Sequence, residues 1–200
     1  MGQGTTLRCT ICQTKDCVGG KDCLGDAARH RGLYDIRGVR QIHEAASAIE
    51  ARHYCQEPRI REIILFAQEM GYRKLGLAFC VGLAEEARII AEILGQEFNV
   101  VSVCCKVCGL DKKSFGLEQI DPTRKRETMC NPAGQATLLN ESETELNILC
   151  GLCVGHDAIF SMVAHAPITT LIAKDRVLGH NPIAAIYSRY TRRTLLPEKA

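Results

Sequence analysis

Apolar positions along the middle of the chain alternate between helical spacing and short unbroken runs. From about Val39 to Tyr54 the spacing is helical, with Ile42, Ala45, Ala46 and Ile49 on one face and charges opposite. Glu57-Pro58 breaks that pattern, and a second helix follows with Ile60, Ile63, Ile64 and Ala67 inward, stopping at Gly71. Lys74 to Cys80 then reads as a buried strand. Leu83 to Leu94 reads as a helix through Ala87, Ile90, Ala91 and Leu94, closed by Gly95. Asn99 to Cys104 reads as a second buried strand, rich in β-branched residues. The stretch 106–130 is polar and predicts no regular element. Beyond it come a helix from Pro132 to Asn140, a strand from Leu146 to Cys150, and a helix capped by Asp157 that runs to about Ala164. A fourth strand from Ile168 to Ala173, a turn at Gly179-His180-Asn181-Pro182 and a last helix through Ile186 and Tyr190 complete the pattern. Strands alternating with helices predict an α/β fold, a parallel sheet flanked by helices.

Residues 1–25 fit neither period. They are polar, Gly-rich and Cys-rich, and predict a loop folded around something. The expected organisation is a cysteine-rich, metal- or cluster-binding segment over 1–25, an α/β domain over 26–190, and a tail over 191–200.

Composition changes this picture in one respect. Twelve of the 200 residues are cysteine. Met1 to Thr6 carries no apolar core of a signal peptide, and no stretch is long enough to span a bilayer, so a cytoplasmic chain is expected. Thiols stay reduced there, and many of them point to metal ligation rather than disulfides. The rest of the balance is ordinary: 46% hydrophobic, 24% charged, net charge +2, and no Trp. That charge gives no reason to expect nucleic acid. Arg124-Lys125-Arg126 and Arg192-Arg193 read as solvated surface.

Four cysteines, Cys9, Cys12, Cys17 and Cys23, form the run C-x2-C-x4-C-x5-C. The spacing matches no ferredoxin pattern, and only Cys9 and Cys12 form the C-x2-C pair of a zinc ribbon. So compact a set suits a cubane cluster or a tight zinc site. The others fall largely where strands end: Cys80 after the first, Cys104 and Cys105 after the second, Cys150 after the third with Cys153 beyond it, and Cys130 in a turn before a helix. Ligands of an open parallel sheet bind beyond the carboxyl ends of the strands, and the helix N-termini there stabilise thiolates. These thiols are therefore expected to converge on one rim as metal ligands. Taken singly, each has a plainer reading as a small core hydrophobe, and Cys55 is assigned to that class. His156 is a candidate proton donor or acceptor beside a bound cluster, and Asp157 a helix cap. His180 reads as a turn residue. No dinucleotide fingerprint, Walker loop, H-E-x-x-H or G-x-S-x-G occurs, so any chemistry belongs to the metal site.

Several segments resemble a known family: Ala78-Phe79-Cys80-Val81-Gly82-Leu83, Val103-Cys104-Cys105-Lys106-Val107, Cys130-Asn131-Pro132, Gly151-Leu152-Cys153-Val154-Gly155-His156-Asp157, and Lys174-Asp175-Arg176-Val177-Leu178-Gly179-His180-Asn181-Pro182. It is a cysteine-rich family of unknown function, mainly from anaerobic bacteria and archaea, whose members are described simply as metal-binding proteins. The likeness covers nearly the whole chain. It implies Cys80, Cys105, Cys130 and Cys153 as the inner site, with Cys104 as the nearest substitute. Cys108 and Cys150 are not implied as obligatory ligands. The anaerobic setting implies an iron–sulfur cluster, of the 4Fe–4S type, over zinc.

The expected function is thus metal binding through iron–sulfur clusters, for electron transfer or reduction of a small ligand. A redox partner protein is expected, with no nucleic acid or membrane. Two alternatives stand beside it: a zinc-binding structural or metal-delivery protein, and a cluster-dependent sulfur-handling enzyme of the desulfidase kind.

Overall fold

The computed structural model describes residues 7–196. The readings made of Met1 to Thr6 and of the last four residues of the tail lie outside them. The chain divides into two compact units, with the division between Arg52 and His53.

The first unit begins with two single 3-10 turns, Cys9–Ile11 and Asp16–Gly19. Helix α1 (Ala27–Gly32) follows, and then most of α2 (Val39–His53). No side chain between residues 7 and 44 is buried. This stretch is organised instead by polar contacts. The Asp22 carboxylate accepts from the backbone N–H groups of Leu24 (3.1 Å), Gly25 (2.8 Å) and Ala27 (2.9 Å). In α2, Ala45 and Ile49 are the buried positions, whereas Ala46, expected on the same face, is exposed.

The second unit holds the sheet. Strands β1 (Lys74–Phe79), β2 (Asn99–Cys104), β3 (Leu146–Cys150) and β4 (Ile168–Ile172) are all parallel, in the order β2-β1-β3-β4. Helices α3 (Arg59–Glu69), α4 (Ala84–Leu94), α5 (Pro132–Glu141) and α6 (His156–Val163) flank it. The single last helix expected through Ile186 and Tyr190 is two short ones, α7 (Ala184–Tyr187) and α8 (Arg189–Leu195), parted at Ser188, and α8 runs into the segment expected as tail.

Side chains alternate across the sheet, so each strand feeds two cores. Leu75, Leu77, Ile148 and Cys150 pack with Ile63, Ile64 and Ala67 of α3 and Ala87, Ile90 and Leu94 of α4. Ala78, Val103 and Leu149 pack with Ala136 and Leu139 of α5 and Phe160 of α6. The result is three layers, α/β/α, the expected fold class.

Two further expectations need correcting. β2 is not a fully buried strand. It lies at the sheet edge with one neighbour, and only Val103 of it is buried. Asp157 is not the cap of α6, because Gly155 at φ +84° occupies that position and the helix starts at His156. The stretch 106–130, without a predicted element, is a compact excursion. Asp111 bridges to Thr128, and Glu127 ties the loop together through Lys112 Nζ (2.6 Å) and the Ile120 N–H (2.8 Å).

Candidate metal centre

The strand order sets the place of the site. After β1 the chain turns to β2 on one side, and β3 inserts on the other, so the crevice at the carboxyl ends of β1 and β3 is a topological switch point. Alternation then sorts the thiols. Phe79 pairs with Cys104 on β2 and with Cys150 on β3, so these three share one face. Cys80 and Cys105 come one residue later and turn to the opposite face, toward α5 and α6. The backbone continues the ladder there: the Cys80 N–H donates to the Cys150 carbonyl (3.0 Å) and the Cys105 N–H to that of Phe79 (2.8 Å).

The excursion after β2 brings the third thiol back. The Met129 N–H donates to the Leu110 carbonyl (2.8 Å) and the Asn131 N–H to that of Cys105 (2.8 Å), which sets Cys130 beside Cys105. Asn131 then caps α5, its Oδ1 accepting from the Gly134 N–H at 2.9 Å. The fourth thiol arrives through the turn after β3. Gly151 sits at φ +69° there, and a Cβ on it would lie 2.1 Å from Leu83 Cδ1. Only glycine fits both demands.

Cys80, Cys105, Cys130 and Cys153 therefore line one pocket, together with Gln135, Leu152 and His156. As placed, the side chains leave no room for a water molecule between them, so a metal seated there would have to part them. Cys105 Sγ and Cys130 Sγ are 3.8 Å apart, and the Val81 N–H donates to Cys105 Sγ at 3.3 Å. Among the described residues no group of three or more His, Cys, Asp or Glu side chains already has the geometry of a metal shell.

Charge around the pocket is uneven. The contact with Cys105 holds Cys130 down at about 5, helped by the Lys106 ammonium and His156. The same contact, with burial, pushes Cys105 up. Lys106 is fixed by donating to the Thr128 carbonyl at 2.7 Å. Across the pocket, Arg176 Nη2 donates to Cys153 Sγ at 2.9 Å. Arg176 is presented by a rigid loop. Asp175 Oδ1 accepts from the N–H groups of Val177 (3.0 Å) and Leu178 (2.8 Å), and His180 Nδ1 accepts from the Asp175 N–H (3.1 Å). His180 at φ +65° is thus the turn residue expected.

The other thiols lie elsewhere. Cys104, on the opposite face from Cys105, does not line the pocket, and Cys108 is exposed at φ +65°. Cys150 is fully buried in the α3/α4 core, where desolvation pushes its thiol up to about 11, a small core hydrophobe. Cys55 is exposed at φ +56°, not buried as its plainer reading expects. In the first unit, Cys9, Cys12, Cys17 and Cys23 are all exposed. The Cys12 N–H donates to the Cys9 carbonyl (3.3 Å), and Lys15 Nζ donates to the same oxygen. The Lys15 backbone N–H lowers the Cys12 thiol.

Two pocket features escaped the sequence reading. Arg176 had no assigned role, although its segment was noted. Gln135 had none at all, yet its side chain is fully buried, on the same helix face as Leu139. Its Nε2 donates to the carbonyls of Phe79 (3.2 Å) and Val103 (2.6 Å), which fixes the amide orientation. Its Oε1 is buried without a partner. An orphaned acceptor of this kind costs about 1–3 kcal/mol. A polar residue four positions before a buried Leu was the available signal.

The donor set fits a thiolate-bound metal or iron–sulfur cluster: sulfur alone, with N–H and cationic groups around it. Residues 25–171, which enclose the four pocket thiols and His156, match the family described as "Protein of unknown function (DUF1847)". The chain belongs to that family. It is also 47% identical, over 194 residues, to "Uncharacterized protein MJ0455" of Methanocaldococcus jannaschii, covering 96% of this chain and all of that one. No solved structure matches it. Among the described residues no helix is long and apolar enough to cross a membrane.

Proposed function

We propose that this member of the family is a metal-thiolate protein. Its principal centre lies in the second unit, with Cys80, Cys105 and Cys130 as inner ligands and Cys153 as the fourth thiol of the site. One observation carries the reading: four cysteines from four separate stretches of chain line one pocket at the switch point of the sheet. Chance burial does not account for it. Cys150, the thiol that is simply buried, faces the other core.

The group assigned to the pocket is an iron–sulfur cluster, which when bound supplies one-electron chemistry. The chain's own part is to hold and tune it. The Val81 N–H, Lys106 and Arg176 direct hydrogen bonds and positive charge at or beside the sulfurs, the lever that raises a cluster's potential. The exposed run Cys9, Cys12, Cys17 and Cys23 is a second ligand set, accessible to a redox partner protein. Electron transfer, or reduction of a small ligand at the inner centre, is the use this arrangement supports.

Zinc is the second reading, favoured by one distance. Two thiolates on a tetrahedral zinc stand about 3.8 Å apart, the edge set by Zn–S bonds of about 2.3 Å. Cys105 and Cys130 already have that separation, 3.8 Å.

Anaerobic purification followed by iron, acid-labile sulfide and zinc analysis tests both. Iron and sulfide in equal amounts, with a coloured protein, is the expected result. Stoichiometric zinc without sulfide selects the second reading. Protein free of all three overturns the metal-thiolate assignment.

A further inference from the structure

Gln135 is buried to 0% exposure on the pocket wall, and both hydrogens of its amide are directed at strand carbonyls. Its oxygen has no partner. Bound cysteines are thiolates, which carry no proton to donate. Leu152 offers none. His156 is the other polar residue on the lining, and it makes no hydrogen bond to this oxygen. Loading the metal therefore removes the thiol donors of Cys80, Cys105 and Cys130 from a pocket whose wall holds a fixed acceptor, and Cys153 Sγ is already engaged by Arg176.

We propose that Gln135 is a ligand-positioning residue: its Oε1 receives the hydrogen of a small exogenous ligand of the H–X class, water or hydrosulfide, that occupies one position on the metal. This rests on the metal-thiolate reading and goes beyond it, because the centre then has an exchangeable site. Cys153 is the thiol that leaves the position open. Its sulfur is held by Arg176 at 2.9 Å, whereas Cys105 and Cys130 hold each other at 3.8 Å. The Arg176 guanidinium, through its contact with Cys153, adds positive charge beside the site. A ligand that carries a proton and is held by an acceptor beside a cation fits the groups present. A bare anion such as chloride leaves Oε1 unpaired.

The test uses the full chain, loaded with the metal it is isolated with, or with Co2+ where isolation yields zinc. Sodium sulfide is titrated anaerobically while thiolate-to-metal absorption is followed. In parallel, the EPR signal of the paramagnetic form is compared in ordinary and 17O-enriched water. A saturable spectral shift with sulfide assigns hydrosulfide, and line broadening by 17O assigns water. Gln135→Met should weaken the sulfide response roughly tenfold, the effect of one hydrogen bond, or abolish the broadening, with metal content unchanged. Gln135→Glu, which keeps an acceptor oxygen, should restore the response to within about threefold. Cys153→Ser should retain the metal that Cys80→Ser loses. A loaded wild-type protein with neither signal, or a Gln135→Met protein that responds like wild type, overturns this inference alone. A wild-type protein that takes up no metal overturns the metal-thiolate reading and this inference with it.

Discussion

The two cysteine sets of this chain are built in opposite ways. Cys9, Cys12, Cys17 and Cys23 are neighbours in sequence and exposed, on or beside single 3-10 turns and a bend, with no buried side chain among them. Cys80, Cys105, Cys130 and Cys153 are far apart in sequence and are collected by the ends of a packed parallel sheet. In the first set the spacing is the site. In the second the fold is the site, and a shift of one residue along a strand decides whether a thiol belongs to it.

That difference is sharpest at the adjacent pair Cys104 and Cys105. Cys105→Ser should empty the inner centre while leaving any metal on the N-terminal run. Cys104→Ser, on the other face of β2, should leave the inner centre intact. Metal counts on the two variants, made against a chain whose four N-terminal cysteines are changed to Ser, check this. Equal loss from both variants would break the face assignment.

How far the sequence could be read follows the same division. The four strands and the helices between them were legible because each is a single apolar run or a helical stripe, bounded by Gly or Pro. The strand-end positions of Cys80, Cys105 and Cys153 followed from those boundaries. β2 was misread as buried because Asn-Val-Val-Ser-Val-Cys is as β-branched as a central strand, and edge position depends on strand order, which no local pattern contains. The return of Cys130 was visible only as a turn before a helix. It depends on the Glu127–Lys112 pair and the Asp111–Thr128 bridge, contacts inside a polar stretch that has no period. Gln135 was hidden because a lone polar residue on an apolar helix face breaks the pattern without saying why.

Stability should divide the two sets next. Phe160 is fully buried in the core cluster that includes Leu152 of the pocket wall, and Phe160→Ala should cost about 3–5 kcal/mol of unfolding free energy in metal-free protein. Cys17→Ser, at an exposed turn, should stay within about 0.5 kcal/mol. Denaturant midpoints under reducing conditions measure both, and a comparable loss from Cys17→Ser would mean that the N-terminal turns are packed after all.

A smaller effect lies in the chemistry of Cys130. Cys105 first, then Lys106 and His156, lower its thiol in the metal-free protein. Alkylation of Cys130, followed by mass spectrometry, should persist to lower pH than that of the exposed Cys17. Lys106→Met removes a cation that favours the thiolate, so the onset should move to higher pH. An unchanged onset would remove Lys106 from the causes and leave the shift to Cys105 and His156.

The smallest expected effect concerns the loop that delivers Cys130. Glu127 is held below the usual carboxylate range, first by Lys112 and then by the N–H groups of Ile120 and Asp121. A carboxyl whose folded value is depressed contributes stability that is complete above its unfolded value of about 4.3 and is lost as the pH falls through the folded value below it. Unfolding midpoints measured from pH 6 down to pH 3 should therefore drop more steeply for the wild-type chain than for Glu127→Gln, which is already weakened at pH 6 and has no charge to lose. The same titration should loosen Cys130 from Cys105, since the segment that ends in the Asn131–Cys105 hydrogen bond starts from the Glu127–Lys112 pair. The exposed N-terminal cysteines provide the control. None of them depends on Glu127, so their alkylation should be the same in both proteins, and a parallel change there would show that Glu127→Gln acts on the whole chain rather than on the loop.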